Sequence, residues 1–129
     1  MKNNHLTYLT VRGYELDSYG HVNNAVYLQY YEQARWEMMQ DRGVLEELRK
    51  SNVLLVVVES LVRYMRELSL FDELVVESKF EIKPPYLVFH QKIINKKDGL
   101  PSSRAKIKTI FIGEDKIPSD IPDLFRKSV

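Results

Sequence analysis

Residues 24–42 form one long stretch with helical periodicity, and from residue 53 onward the chain is patterned for strands. That pairing limits the folds open to this chain more than any other feature. Tyr27, Tyr30, Tyr31, Ala34 and Met38 recur at three- and four-residue spacing and make one apolar stripe. Val26, Leu28, Trp36 and Met39 widen it beyond one face, so the helix is expected to be buried on most sides. At 1.5 Å per residue it would run roughly 28 Å, a length that a curved sheet can wrap. Asn23 is placed to cap its start with a side-chain oxygen, and Gly43 to end it. Residues 44–50 read as one or two further helical turns.

The strands are read from period-two alternation. In residues 5–12, Leu6, Tyr8 and Thr10 alternate with Thr7, Leu9 and Val11, before Gly13 and Asp17-Ser18-Tyr19-Gly20 break the pattern into a loop. Residues 53–62 are rich in Val and Leu and alternate only weakly, which predicts a central strand covered on both faces, continuing through 64–66. Leu74, Val76, Ser78, Phe80 and Ile82 alternate cleanly with Val75, Glu77, Lys79 and Glu81, as a strand with one wet face does, until Pro84-Pro85 ends it. Leu87, Phe89, Gln91 and Ile93 repeat the pattern, with His90 and Lys92 on the face expected to be exposed. Asp98-Gly99 is a hairpin turn signal, and residues 104–112 return as the last strand. The tail from Gly113, with Pro118 and Pro122, is expected to pack irregularly and end in a short helical turn. One strand, a long helix and four consecutive strands argue for an α+β fold with an antiparallel sheet of about five strands.

Composition removes several functions. At 129 residues the chain is one domain with room for its own core. A net charge of +1 gives no global reason to expect nucleic acid or a membrane surface as partner. Without cysteine there is no disulfide, thiol nucleophile or cysteine-ligated metal. His5, His21 and His90 lack the paired spacing of a zinc site, and neither a dinucleotide glycine motif, a Walker loop nor a Gly-x-Ser-x-Gly elbow is present. The first eight residues do not read as a secretory signal, and the most apolar run, residues 53–58, is far shorter than the ~20 residues a bilayer span needs. A cytoplasmic protein is expected.

The chemistry-bearing stretch is Asp17-Ser18-Tyr19-Gly20-His21-Val22-Asn23-Asn24, at the doorstep of the helix. A helix N-terminus carries unsatisfied N–H groups and a partial positive charge, and so favours an oxygen gaining negative charge. A carboxylate on the preceding loop and a first-turn N–H can face one pocket, and both are parts that acyl transfer needs. This string, followed by Tyr27 and Tyr30 at Tyr-x-x-Tyr spacing and Glu32-Gln33-Ala34-Arg35, resembles the hotdog-fold acyl-CoA thioesterases, most closely the 4-hydroxybenzoyl-CoA thioesterase-like branch. The resemblance implies a sheet wrapped around one long central helix. It departs from the family at residues 67–68, where a proline is common, and at Phe71, where a glycine is.

The resemblance also implies roles. Asp17 is the carboxylate that activates water as general base or attacks the thioester carbonyl directly; taken alone, it reads more readily as a residue capping a turn. The Asn24 backbone N–H, with the helix dipole, holds the oxyanion. His21 orients the aspartate or the substrate, or simply bonds the loop backbone. Asn23 is a cap or a substrate contact, and Tyr19 and Tyr27 are pocket lining. Gly20 serves a special backbone conformation or a close approach to ligand. Glu59 interrupts an apolar strand and is the second-choice acid or base, with pairing to Arg35 or Arg63 as the plainer explanation. Glu32 and Arg35, three apart on the helix, read as a structural ion pair. Lys96, Lys97 and Arg104 offer a cationic landing site for coenzyme A phosphates, although alternation along the last strand suits a solvated face as well.

The implied activity is hydrolysis of an acyl-CoA to a free acid and coenzyme A, with no metal and no cofactor beyond the coenzyme A of the substrate. The implied assembly is a homodimer or homotetramer. A thioesterase acting on acyl carrier protein and a non-catalytic acyl-CoA-binding subunit are the alternatives.

Overall fold

A computed structural model gives the fold and describes residues 4–127. In chain order it contains strand β1 (His5–Thr10), helix α1 (Asn24–Asp41), helix α2 (Val44–Ser51), strands β2 (Leu54–Tyr64), β3 (Glu73–Lys83), β4 (Tyr86–Asn95) and β5 (Leu100–Ile112), and a final turn of helix, α3 (Asp123–Lys127). The five strands form one antiparallel sheet in the order β1-β3-β4-β5-β2. The hotdog expectation is met: the sheet lies against one long helix, and the last strand begins at Leu100, four residues before the alternation suggested.

Alternation decides which face of the sheet meets α1. Leu74, Val76 and Phe80 of β3, Leu87, Phe89 and Ile93 of β4, and Ile107 and Phe111 of β5 are buried against Tyr27, Tyr30, Tyr31, Ala34 and Met38 of the helix. Each large apolar side chain so buried contributes about 1.5–3 kcal/mol. Three polar side chains fix the helix on this surface. Gln91 donates to the Tyr31 carbonyl (3.0 Å) and to Ser78 Oγ (2.9 Å), and accepts from the Arg35 guanidinium at 3.1 Å. Tyr31 Oη donates to Ser103 Oγ at 2.7 Å. The Arg35 side chain is buried, which draws its pKa down to about 10. It is hydrogen-bonded to Gln91, and Glu32, expected as its ion-pair partner, acts only at longer range.

Two expectations need correction. Residues 53–62 are apolar, but β2 is an edge strand paired only with β5, and Leu54, Val56, Val57, Val58 and Leu61 are exposed. Weak alternation signals apolar surface on both faces of a strand, not a neighbour on each side. The outer side of α1 is likewise open, with Leu28 and Trp36 exposed. Other boundaries follow the sequence signals closely. Asn23 caps α1, Gly43 follows its end with φ 77°, and Gly99 closes the β4–β5 turn with φ 72°. His90 is exposed as expected and pairs with Glu81. No helix among the described residues is long and apolar enough to cross a membrane.

Candidate active site

The loop before α1 is a miniature antiparallel ladder. The Asn23 N–H donates to the Glu15 carbonyl (2.9 Å), Leu16 and Val22 form a bridge, and the Asp17 N–H donates to the His21 carbonyl (2.8 Å). The Gly20 N–H closes the turn on the Asp17 carbonyl at 3.1 Å, and Gly20 sits at φ 83°, where a side chain is disfavoured. A second segment strings this ladder to the sheet: the Val22 N–H donates to the Leu68 carbonyl (2.9 Å), and His21 bridges to Ser69.

Within the ladder the Asp17 carboxylate divides its oxygens. Oδ1 accepts from the Tyr19 N–H (2.9 Å) and the His21 N–H (3.4 Å), the turn-capping role. Oδ2 has no hydrogen-bond partner among the described residues. The turn-capping and chemical readings of Asp17 are therefore compatible, one oxygen for each. Asn23 caps the helix, its Oδ1 accepting from the Ala25 N–H at 2.9 Å, and the Val26 N–H donates to the Asn23 carbonyl. Asn24, the first helical residue, lies between the satisfied Asn23 and Ala25 amides, and its own N–H donates to none of the described residues. The unused oxygen and the unused N–H are seven residues apart in sequence.

Both residues border one cavity of about 470 Å³, together with Tyr19, His21 and Tyr27. Its opposite wall is Tyr64, Met65, Arg66 and Glu67, where β2 runs out into the connection to β3. Tyr64 Oη donates to the Asn24 carbonyl (3.2 Å), and its ring meets Tyr27 edge-on at 4.9 Å, so the end of β2 is fastened to the start of α1. Burial, then the neighbouring Tyr64 and Glu67, push the Tyr27 phenol up to about 12, so it stays protonated and donates to the Arg66 carbonyl. His21 Nε2 lies 3.0 Å from Glu67 Oε2 and closes one rim.

Of the residues singled out in the sequence, Asp17, Tyr19, His21, Asn24 and Tyr27 converge here, and Gly20 and Asn23 shape the loop beside them. Glu59 does not join them. It is exposed at the β2 bulge, 3.7 Å from Lys108 Nζ, which replaces the expected pairing with Arg35 or Arg63. Lys96, Lys97 and Arg104 do not border the cavity. The Lys96 ammonium lies over the Tyr8 ring, the Lys97 N–H donates to Asn95, and Arg104 stands opposite Lys92 and Arg63 on the face away from α1. Sequence reasoning missed Tyr64, Arg66 and Glu67. Their signal was the end of a long strand run, but which end of the sheet meets the helix start is a matter of topology.

Known proteins share this architecture. The chain is 39% identical over 75 residues to the long-chain acyl-CoA thioesterase FadM of Escherichia coli, a match covering 58% of this chain and 57% of that protein. It is 29% identical over 124 residues to the chloroplastic acyl-acyl carrier protein thioesterase ATL3 of Arabidopsis thaliana, covering 95% of this chain and 65% of the relative. The chain thus spans less than two thirds of the length of either curated relative. Its structure superposes on that of the E. coli probable thioesterase YbaW with a TM-score of 0.86 and 29% identity, covering 95% of this chain and 94% of the other. The match to the thioesterase-like superfamily extends over residues 11–129 and takes in the ladder, α1 and every strand after β1, so the chain belongs to that superfamily.

Proposed function

We propose that this protein hydrolyses the thioester of an acyl-CoA to a free carboxylic acid and coenzyme A. The observation that carries the reading is the pairing of an unengaged Asp17 Oδ2 with an unengaged Asn24 N–H at the edge of one cavity. The thioester carbonyl oxygen takes the Asn24 N–H, where the α1 dipole stabilises the negative charge that develops. Asp17 Oδ2 then either removes a proton from the attacking water or bonds to the carbonyl carbon itself. In the first case the tetrahedral intermediate collapses to acid and thiolate. In the second the adduct expels the thiolate to leave a mixed anhydride between the acyl group and Asp17, which water then opens to the free acid and the carboxylate. Both routes need one free carboxylate oxygen and one free donor, and neither requires a metal or redox cofactor. The FadM relative supports coenzyme A as the thiol carrier.

The cavity is open, and hydrolysis in a low-dielectric site calls for a cover. The uncovered apolar edge of β2 supports a homodimer in which two β2 strands pair antiparallel and continue the sheet, alone or doubled into a tetramer. Such pairing brings the Leu54 end of one strand beside the Tyr64 end of the other, next to the cavity. Lys96, Lys97 and Arg104 are offered to the coenzyme A phosphates. The two lysines lie in the β4–β5 turn and Arg104 on β5, which reaches the cavity wall at Ser102, whose carbonyl accepts the Met65 and Arg66 N–H groups at 2.9 and 3.1 Å. A cytoplasmic setting, where acyl-CoA is made and used, belongs to the same reading.

Free-thiol release from short, long and aromatic acyl-CoAs tests the proposal, run beside the same acyl groups on acyl carrier protein. Turnover of at least one acyl-CoA is expected. Turnover of carrier-bound acyl groups alone would replace coenzyme A by the carrier, the activity named for ATL3. Binding of acyl-CoA without release from any substrate would make the chain a binding subunit.

A further inference from the structure

Glu15 is a buried carboxylate, 4% exposed, that the proposed chemistry does not use. Its Oε1 accepts from the Arg12 N–H (2.8 Å) and from Tyr30 Oη (2.7 Å), and its Oε2 from the Arg12 guanidinium at 2.8 and 3.2 Å. Its own carbonyl accepts the Asn23 N–H. One residue therefore joins the chain leaving β1, the second turn of α1 and the helix cap. It stands two residues before Asp17, on the first rung of the ladder that spaces Asp17 from Asn24. Burial by itself would raise the carboxyl, but the Arg12 N–H, the Tyr30 hydroxyl and the Arg12 guanidinium outweigh it and hold Glu15 below the ordinary carboxylate value, so it is charged at neutral pH.

We infer that Glu15 is a positioning residue for hydrolysis: its charged carboxylate, clamped by Tyr30 and Arg12, sets the Asp17 carboxylate against the Asn24 N–H. Two features separate this from a general contribution to stability. The clamp reaches the helix at Tyr30 and the ladder at Asn23, so it controls the one dimension the chemistry needs, from loop carboxylate to helix terminus. Each Glu15 oxygen also takes a different donor set. Glutamine keeps a single acceptor oxygen and turns an NH₂ toward either the guanidinium or the Arg12 N–H, donor against donor in both cases. Tyr30→Phe removes only the link to the helix and leaves the ion pair with Arg12 in place. The inference rests on the proposed hydrolysis for its kinetic consequence, but the clamp itself can be read independently.

The test measures kcat and KM for wild type, Glu15→Gln, Tyr30→Phe, the double variant and Glu15→Asp on whichever acyl-CoA wild type turns over. Amide hydrogen exchange of the same proteins is followed at Asp17 and Asn23. Glu15→Gln should lower kcat by about 10–100-fold, the range for a slightly misplaced reacting group, with KM within about threefold. Tyr30→Phe should lower kcat in the same sense. The double variant should be no worse than the poorer single one, because both cut one clamp, and Glu15→Asp should recover part of the loss. Exchange at Asp17 and Asn23 should quicken at least ~10-fold, while Phe89 and Gln91 in β4 stay protected. An unchanged kcat in folded Glu15→Gln would overturn the inference, as would strictly additive losses or a loss that tracks only the fraction folded. If Glu15→Gln does not fold, an unchanged kcat in Tyr30→Phe overturns it. Absence of turnover in wild type sinks the hydrolysis reading instead, and unaltered exchange at Asp17 and Asn23 would then dispose of the clamp.

Discussion

Asp17 and Phe71 show how much a single residue's backbone decides. Asp17 spends one oxygen holding its own turn, so the side chain that borders the cavity is tied to its loop by two N–H groups rather than left as a free rotamer. Phe71 adopts φ 65°, a left-handed conformation that costs a side-chain-bearing residue about 1–2 kcal/mol, and the residue is 72% exposed. The sequence departs from the resembled family at this position, where a glycine is common, and the conformation explains the preference. Phe71→Gly should therefore stabilise the fold by about 0.5–1 kcal/mol, part of the relief being lost to the greater freedom of glycine in the unfolded chain. Urea unfolding monitored by circular dichroism would show the midpoint rise; a fall would mean that the exposed ring makes contacts worth more than the strain. The place of Asp17 beside the helix start was legible from its motif, but the division of labour between its oxygens was not. That depends on the positions of two amide hydrogens in a loop only five residues long.

Helix α1 is held to the sheet by apolar packing, by the Tyr31–Ser103 hydrogen bond and by the buried Gln91 amide. Gln91 sits on the inward face of β4 and satisfies the Tyr31 carbonyl and the buried Arg35 guanidinium together. Gln91→Leu would fill the space but leave the buried Arg35 guanidinium without its amide acceptor and the Tyr31 carbonyl with its helical partner alone, so it should cost about 2–4 kcal/mol in chemical denaturation. A cost under about 1 kcal/mol would show that Arg35 finds another partner or turns to solvent. The elements themselves were largely visible in the sequence. Asn23, Gly43, Pro84-Pro85 and Asp98-Gly99 punctuate the chain, and three- or two-residue periodicity fills the intervals. The place of β2 was not, because an apolar strand reads alike whether a neighbour in the same chain or a second molecule covers it. The role of Glu59 was misjudged for a related reason. A carboxylate inside an apolar run looks buried, but this one lies on an edge, within reach of Lys108.

At the scale of the whole molecule, the order β1-β3-β4-β5-β2 puts the most apolar strand at an open edge and the cavity at the end of that strand. The proposed dimer answers both facts at once. Lysine at Val56 and Val58 should convert the protein to a monomer in sedimentation velocity and lower turnover with it. A mass equal to that of the wild type would contradict the proposed β2 dimer. The central claim, that Asp17 carries out thioester hydrolysis at the start of α1, is tested most directly by the single-turnover rate of Asp17→Asn. The substitution keeps the shape and an Oδ1 that can accept the Tyr19 and His21 N–H groups, so the ladder should stand, with circular dichroism and melting profile close to wild type. The account predicts a loss of about 100-fold or more in the chemical step, the order expected of a positioned base or nucleophile, with substrate affinity little altered. A folded Asp17→Asn that hydrolyses acyl-CoA at the wild-type rate would contradict it.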